Sequence, residues 1–575
     1  SVIEKGQIML TNLSGRQQVD YGVSVNKQRD ENYVPVSGYT EKYHYFDPSP
    51  FGISEADAKC MSPAHRQLLE CAHEALENAA IDIEDNNKIS VFVGCENDYG
   101  DVVSTIDEGD LMSFSNGTRV DFASSQISFN LNLKGESHTV MSACATSLVA
   151  IHEAVKSLRA KKSNIAIAGG ATILTQSQTG YIAGQNGMFS PTGEINPFDE
   201  RSDGTIFTNG AGAVVLMPLS QAIENKHTVI ATIIGSGASN DGKPKDKNTF
   251  ISPSVNGQSE AIEMALLDAK ISPYSIGYIE CHGTGTKLGD PIEIQSLNKY
   301  YGKDTFYHEN YDVQCYVGSV KANIGHTRAA AGVLSFIKAC LTLNNNIIPP
   351  IAGFKKLNTK IVEMNTCFEF TGERSIFKSE LPKRRAAVSS FGFGGSNSHI
   401  IIEKEELIAH QSYNADESSK KSSAYLRLSS ETSNGLRRLR EEYVKFILSN
   451  ENINPYSLAR TTNFGRKSYK YRGVYEITSK SDFPLQLKEI FEPYFNHEGK
   501  DVVFLFPGQG SQFSGMSRRL YETSNLYREI IHEKMRFINE ALGENILSKI
   551  FGQSENTREQ LNLTLYSQPA IFLIE

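Results

Sequence analysis

The sequence predicts an α/β fold with mixed or parallel sheets, and three observations lead there. Apolar, β-rich runs recur along the first 404 residues: KISVFVG, NIAIAGGA, GAVVLMPL, VIATIIGSG, YIECHG, QCYVGSV and HIIIE. Between them lie stretches such as HRQLLECAHEALENA and GVLSFIKACLTL, whose apolar residues fall three and four apart, the spacing of one helix face. Short, glycine-containing connections join the two kinds of segment, as they do where helices cover sheets.

The remaining elements follow in chain order. From about 405, KEELIAHQSYNADESSKKSSAY is polar, charged and serine-rich, the composition of a linker. A smaller unit is expected from roughly 424 to 500, with a helix around ETSNGLRRLREEYVKFILSN and a strand at YRGVYEIT. At 501 a new strand and a glycine-rich turn are expected in VVFLFPGQGSQFSGM. At 575 residues the chain exceeds one hydrophobic core and calls for two to four domains.

Composition narrows the function classes. The net charge of -9 argues against wholesale nucleic-acid binding, which needs a basic face. With 39% apolar and 21% charged residues and a mean hydropathy of -0.33, the chain reads as an ordinary soluble protein. No apolar run approaches the roughly 18 residues needed to cross a bilayer and no signal peptide opens the chain, which places it in the cytosol. Eight cysteines without a CxxC pair or a Cys/His cluster fit reduced thiols rather than disulfides, and no metal site is expected.

One cysteine stands apart. In SACATSLVAIHEAV, Cys144 precedes Thr146 and Ser147 and the apolar positions Leu148, Ile151 and Val155, so it sits at or near the start of a buried helix. A buried cysteine is often a small hydrophobe. At a helix N-terminus, however, partial positive charge favours the thiolate and makes sulfur a nucleophile. A partner elsewhere in the chain decides between these readings. His282 follows the strand of YIECHGTGTKLGDPIE, and His326 stands before a helix in GSVKANIGHTRAAAGVLSFIKAC. Ligands bind at the carboxyl ends of strands in such sheets, where both histidines and the cysteine can converge. Thr284 and Thr286 offer hydroxyls to an amide-bearing substrate arm, or simply cap their loop. In VSSFGFGGSNSHIIIE, Phe391 and Phe393 precede Gly394 and Gly395, and amides of such a loop either serve as oxyanion donors or make a tight turn into the last strand.

These four segments, in this order, resemble the signature segments of β-ketoacyl synthases, and specifically the ketosynthase domains of modular polyketide synthases. The likeness extends from VPVSGYTEKYHYFDPSPFGIS through MSPAHRQLLECAHEALENAAID and SPTGEINPFDERSDGTIFTNGAGAVVL to residue 404. It implies a thiolase-type fold of two similar α/β halves in five layers, as a homodimer. It also implies polyketide chain elongation by decarboxylative Claisen condensation. An acyl group arrives on the phosphopantetheine arm of an acyl carrier protein and moves to Cys144. A malonyl-type extender on another carrier then loses carbon dioxide and attacks the Cys144 thioester. By the same resemblance, His282 and His326 stabilise the enolate as neutral N–H donors, and Lys321 supports the hydrogen bonding beside them. Amides of Cys144 and Phe393 form the second oxyanion hole, while Thr284 and Thr286 hold the pantetheine arm. No tightly bound cofactor is implied.

Two departures shape the expected domains. Family members open with a strand of the type IAIVGMxCRFPG, and nothing like it precedes residue 35, so a central strand is expected to be missing and residues 1–404 are read as a truncated ketosynthase domain. Residues 405–500 resemble the linker domain that follows such ketosynthases. Residues 501–575 resemble the start of a malonyl-type acyltransferase, with Gln509 as its oxyanion residue but no GxSxG nucleophile motif. Either the sequence stops early in that domain, or the segment docks a separate, trans-acting acyltransferase.

Competing readings are fewer. A thiolase needs a second cysteine near GFGGSNSH, and a papain-like hydrolase a CGSCW-like run; neither is present. A non-elongating transacylase or docking module remains, although its usual mark, loss of His282, is absent.

Overall fold

The computed structural model describes residues 2–38, 43–83, 88–97, 111–184, 187–243, 249–302, 314–377, 383–404, 424–450, 453–477, 488–495 and 505–575. The expected linker stretch 405–423 lies outside them. The described chain divides into two compact units, Ser1–Phe495 and Asn496–Glu575.

The first sheet holds four strands, Ile89–Asn97 (β1), Ser137–Thr139 (β2), Ile165–Ile173 (β3) and Gly210–Leu216 (β4), in the order β2-β1-β3-β4. β1 runs parallel to β2 and β3, and β4 runs antiparallel to β3. The second sheet holds Thr232–Asn240 (β5), Tyr278–Glu280 (β6), Cys315–Gly318 (β7), Phe368–Phe370 (β8), Arg385–Phe391 (β9) and Ser396–Glu403 (β10). Its order is β8-β7-β6-β9-β10-β5. β6 is parallel to β7 and β9, and β10 is antiparallel to β9. The run β7-β6-β9-β10 therefore repeats the topology of β2-β1-β3-β4, which makes the two halves similar.

Alternation along the strands explains why five layers form. In β1, Val91, Val93 and Cys95 join Leu68, Leu69, Ala72 and Leu76 of the helix Pro63–Asn78 (α1), while Phe92 faces the other way. Phe92, Ala166 and Ala168 meet a central layer made by the helices Thr146–Arg159 (α2) and Ala331–Asn345 (α5). Tyr278, Ala386, Val388 and Ile400 of the second sheet close on that layer from the opposite side. On the far face Ile279, Ala387 and Ile401 pack against the helices Val255–Ala269 (α3) and Gly289–Tyr301 (α4). Because α2 and α5 are covered by a sheet on each side, Leu148, Ile151 and Val333 are fully buried.

The opening strand expected from the resemblance lies outside the described residues. In the second sheet β5 pairs with the outer side of β10. Among the described residues nothing pairs with the equivalent outer side of β4. β4 still packs on both faces, through Ala211, Ala213 and Val215 on one and Val214 and Leu216 on the other, which keeps it in place.

A third sheet joins Ala424–Ser430 (β11), Tyr471–Ile477 (β12) and Lys488–Phe495 (β13), all antiparallel, with helices Ser433–Ser449 (α6) and Pro455–Phe464 (α7). The helix and the strand expected there are both present. Arg466 ties this part back to the first half by donating to the Glu77 carbonyl. The second unit is helical, with Asn525–Leu542 (α8) and Thr564–Ile574 (α9) sharing a core around Ile531, Ile546 and Ile550. The strand expected at 502–506 falls mostly outside the described residues, and Leu505 and Phe506 are exposed and not in a strand. Among the described residues no helix is long and apolar enough to cross a membrane.

Candidate active site

Cys144 lies in a 3-10 turn, Ala143–Ala145, that runs directly into α2. The turn is sharp because Ala143 adopts a left-handed conformation, φ 49°, which L-residues avoid. Two hydrogen bonds hold it: the Ser142 amide donates to the Thr146 hydroxyl at 2.8 Å, and the Ser390 hydroxyl donates to the Cys144 carbonyl at 2.8 Å. The second bond attaches the turn to β9. Its neighbour Gly392 comes so close that an added Cβ would lie 2.3 Å from the Ser142 carbonyl oxygen, so only glycine fits there.

The sulfur itself is buried, and burial pushes its thiol up to about 12 from an ordinary 9.0. Glu96 acts in the same direction, while Lys321, Arg328 and the Phe393 amide, which donates to the sulfur, act against it. Burial therefore opposes the pull toward thiolate expected of a helix terminus and favours the thiol.

His282 follows β6 and His326 follows β7, so parallel neighbouring strands deliver both rings to one place. The ring centroids lie 5.2 Å apart at an interplanar angle of 86°. Phe391 packs 5.9 Å from His282, which puts the end of β9, and with it the Cys144 turn, against the pair. Both imidazoles are held well below 6.5, first by burial and then by the nearby Lys321 charge. Both are neutral, as the chemistry of an N–H donor requires. For His326 the tautomer follows from its partner: the Arg328 amide donates to Nδ1 at 3.2 Å, leaving the proton on Nε2. Among the described residues His282 Nδ1 is buried with no hydrogen-bond partner.

Lys321 is 1% exposed, and its Nζ has no hydrogen-bond partner among the described residues. Burial lowers its pKa against the pull of Glu280 and Glu293. It acts electrostatically on Cys144, His282 and His326 alike, so the three expected site residues share one environment. Thr284 and Thr286 are half-buried and bond each other at 3.0 Å, and the Thr286 hydroxyl also accepts from the Gly289 amide. Phe391 is buried and Phe393 is 40% exposed, so the second ring stands at the rim. Gln509 belongs to the other unit, where its Nε2 donates to the Thr564 and Ser567 hydroxyls at 2.9 Å each.

The sequence models of three family segments match the chain: the β-ketoacyl synthase N-terminal domain over residues 3–222, its C-terminal domain over 230–355, and the ketoacyl-synthetase C-terminal extension over 349–475. A solved structure, ketosynthase twelve of the bacillaene polyketide synthase of Bacillus amyloliquefaciens, is 32% identical, covers 84% of each chain and superposes with a TM-score of 0.76. The chain belongs to the β-ketoacyl synthase family. Its fold is the thiolase-type α/β fold of polyketide synthase ketosynthases. The module 6 ketosynthase of bacillaene synthase from Bacillus subtilis is similarly related, at 27% identity, 96% and 91% coverage and a TM-score of 0.72. Among curated proteins, a phenolphthiocerol/phthiocerol polyketide synthase polypeptide of Mycobacterium tuberculosis is 31% identical over all of this chain and 40% of its own length. The chain thus spans less than half of that relative.

This β-ketoacyl synthase also uses residues that the sequence did not single out. The Glu293 carboxylate accepts the amides of His282 and Gly283, both at 2.7 Å, and Asp290 accepts those of Phe198 and Gly285. Asp290 lies in the first turn of α4, where helix geometry favours negative charge, whereas Glu293 lies a turn further on and carries no such signal. Burial raises Asp290 to about 6 and Glu293 to about 7. Glu280 accepts from the Val320 amide at 2.6 Å and pairs with Lys338 at 2.9 Å, and the Ser319 hydroxyl donates to the Gly283 carbonyl. The two histidine loops of the ketosynthase are therefore fastened to each other as well as to their strands.

Proposed function

We propose that the chain catalyses polyketide chain elongation by decarboxylative Claisen condensation. The observation that carries this reading is the pair of neutral, buried imidazoles 5.2 Å apart, sharing the field of Lys321 with the Cys144 thiol. In the first stage the Cys144 sulfur attacks an acyl thioester presented by a carrier protein, loses its proton, and releases the carrier thiol. In this reading the Phe393 amide, which donates to the sulfur, and the Cys144 amide take up the charge that builds on the acyl oxygen. In the second stage loss of carbon dioxide from a malonyl-type thioester leaves an enolate. The Nε2 proton of His326 and an N–H of His282 stabilise its oxygen, and the carbanion attacks the Cys144 thioester carbonyl, breaking its C–S bond and expelling the Cys144 sulfur as a thiolate that regains a proton. Neutral donors suit this step because they become stronger partners as charge forms.

In this reading the phosphopantetheine arm of the acyl carrier protein enters past Thr284, Thr286 and the half-exposed Phe393. The chain works as a homodimer, for which the outer edge of β2 is the natural contact: Phe129 and Met141 beside it are 84% and 52% exposed. The assignment of residues 1–404, 405–500 and 501–575 to ketosynthase, linker and acyltransferase-like parts belongs to the same proposal. The test is incubation with an acyl-loaded and a malonyl-loaded carrier protein, followed by intact-mass analysis. The expected result is acylated Cys144 and a β-ketoacyl product on the second carrier. Acylation with no such product overturns elongation in favour of transacylation.

A further inference from the structure

We propose that Arg328 and Glu96 form a positioning pair that holds His326 in the Nε2–H tautomer and aims that proton at the reacting oxygen. Arg328 sits two residues after His326 with φ 48°, a left-handed conformation that no arginine prefers. Its backbone amide donates to His326 Nδ1 at 3.2 Å. Its side chain is anchored from two directions. Nε lies 2.7 Å from Glu96 Oε2 at the end of β1, and the guanidinium stands 4.8 Å above the Phe207 ring. Phe207 in turn meets the His326 ring edge-on at 5.4 Å, and the backbones of these two residues form a β-bridge. Main chain and side chain of Arg328 thus reach His326 by separate routes.

The physical consequence is direct. The anchor keeps the backbone in a conformation it would otherwise leave, and that conformation points the amide at Nδ1. Without the anchor the backbone relaxes toward negative φ, the amide turns away, and Nδ1 is free to carry the proton. An Nδ1–H ring has no proton on Nε2 to donate. Glu96 and Arg328 also act on Cys144 with opposite signs, so the pair brings two charges to the site while limiting their net effect on the thiol. The effect on the tautomer is independent of the reaction; its catalytic consequence rests on the elongation reading above.

The test uses the full chain with selectively 15N-labelled histidine and long-range 1H–15N correlation, His326 being identified by its loss in His326→Gln. Wild type is expected to show Nε2–H. Arg328→Ala and the isosteric Glu96→Gln are expected to mix in the Nδ1–H form, and the double exchange Glu96→Arg with Arg328→Glu to return toward wild type. The turnover number for extension is expected to fall roughly tenfold to a hundredfold in the single variants, with KM for the acyl carrier unchanged. An unaltered His326 signal in folded Glu96→Gln and Arg328→Ala overturns the proposal. An exchanged pair no better than the single variants overturns charge pairing as its cause. If the tautomer shifts as stated but wild type gives no extended product, the positioning pair stands and the elongation reading falls.

Discussion

At the scale of single residues, the site separates two duties that one titratable pair could not perform. Burial favours the thiol form of Cys144, and the neutral imidazoles beside it are donors rather than bases. Cys144→Ala is therefore expected to abolish acylation, read as loss of the acyl mass increment. His326→Ala is expected to keep acylation and lower decarboxylation-coupled extension about a hundredfold to a thousandfold, the usual effect of deleting one oxyanion donor. The histidines also set the pH response. Their pKa values lie well below 6.5, so the N–H donors stay neutral as pH falls through 6.5, and extension measured between pH 7.5 and 6 is expected to show no loss from imidazole protonation. Cys144, His282, His326 and the FGFGG turn were legible in the sequence because each stands at the end of an apolar run, beside small residues. The resting charge of the sulfur was not legible, since it depends on how completely other segments cover it.

At the scale of elements, loops are fixed by backbone hydrogen bonds to buried acids. Those bonds leave no side-chain pattern, which is why Glu293, Glu280 and Asp290 escaped a reading of motifs. Glu293→Ala would leave the His282 and Gly283 amides buried without partners, and an unfolding free-energy loss of about 2 to 5 kcal/mol is expected from chemical denaturation. Gly392→Ala tests the contact between the gate turn and the Cys144 turn. A Cβ placed 2.3 Å from the Ser142 carbonyl must displace one backbone from the other. Acylation is expected to slow by about tenfold or more in stopped acyl-transfer assays. Long helices such as α1 and α6 were legible because their polar and apolar faces alternate strongly. The place of β4 in its sheet was not: GAGAVVL is apolar on both faces, as an interior strand would be, yet it lies at the edge of the described sheet.

At the scale of the whole molecule, burial of neutral histidines makes the fold acid-sensitive. His282 and His326 lie well below 6.5, burial lowers His65 to about 4, and burial lowers His399 to about 3. A group with a depressed native pKa stabilises above its unfolded pKa, and that contribution disappears as pH falls. Asp290 and Glu293, raised to about 6 and about 7, act in the opposite sense over the same range. Burial also lowers His73 and His152, and raises Glu70 and Glu96; the lowered histidines outnumber the raised acids, so the thermal midpoint is expected to fall as pH drops from 6.5 toward 4, as followed by calorimetry. The five-layer plan was legible only through resemblance. Alternating apolar runs announce an α/β protein, but nothing local in the sequence says that α2 and α5 share one layer between two sheets.

The central claim is that one thiol and two uncharged rings act as a single site. Carbon dioxide release from a malonyl-loaded carrier, measured on acylated wild type, His282→Ala and His326→Ala, tests it most directly. Both variants are expected to retain an acylated Cys144 and to lose release together, by about a hundredfold or more. Release at the wild-type rate from either acylated variant would contradict the account.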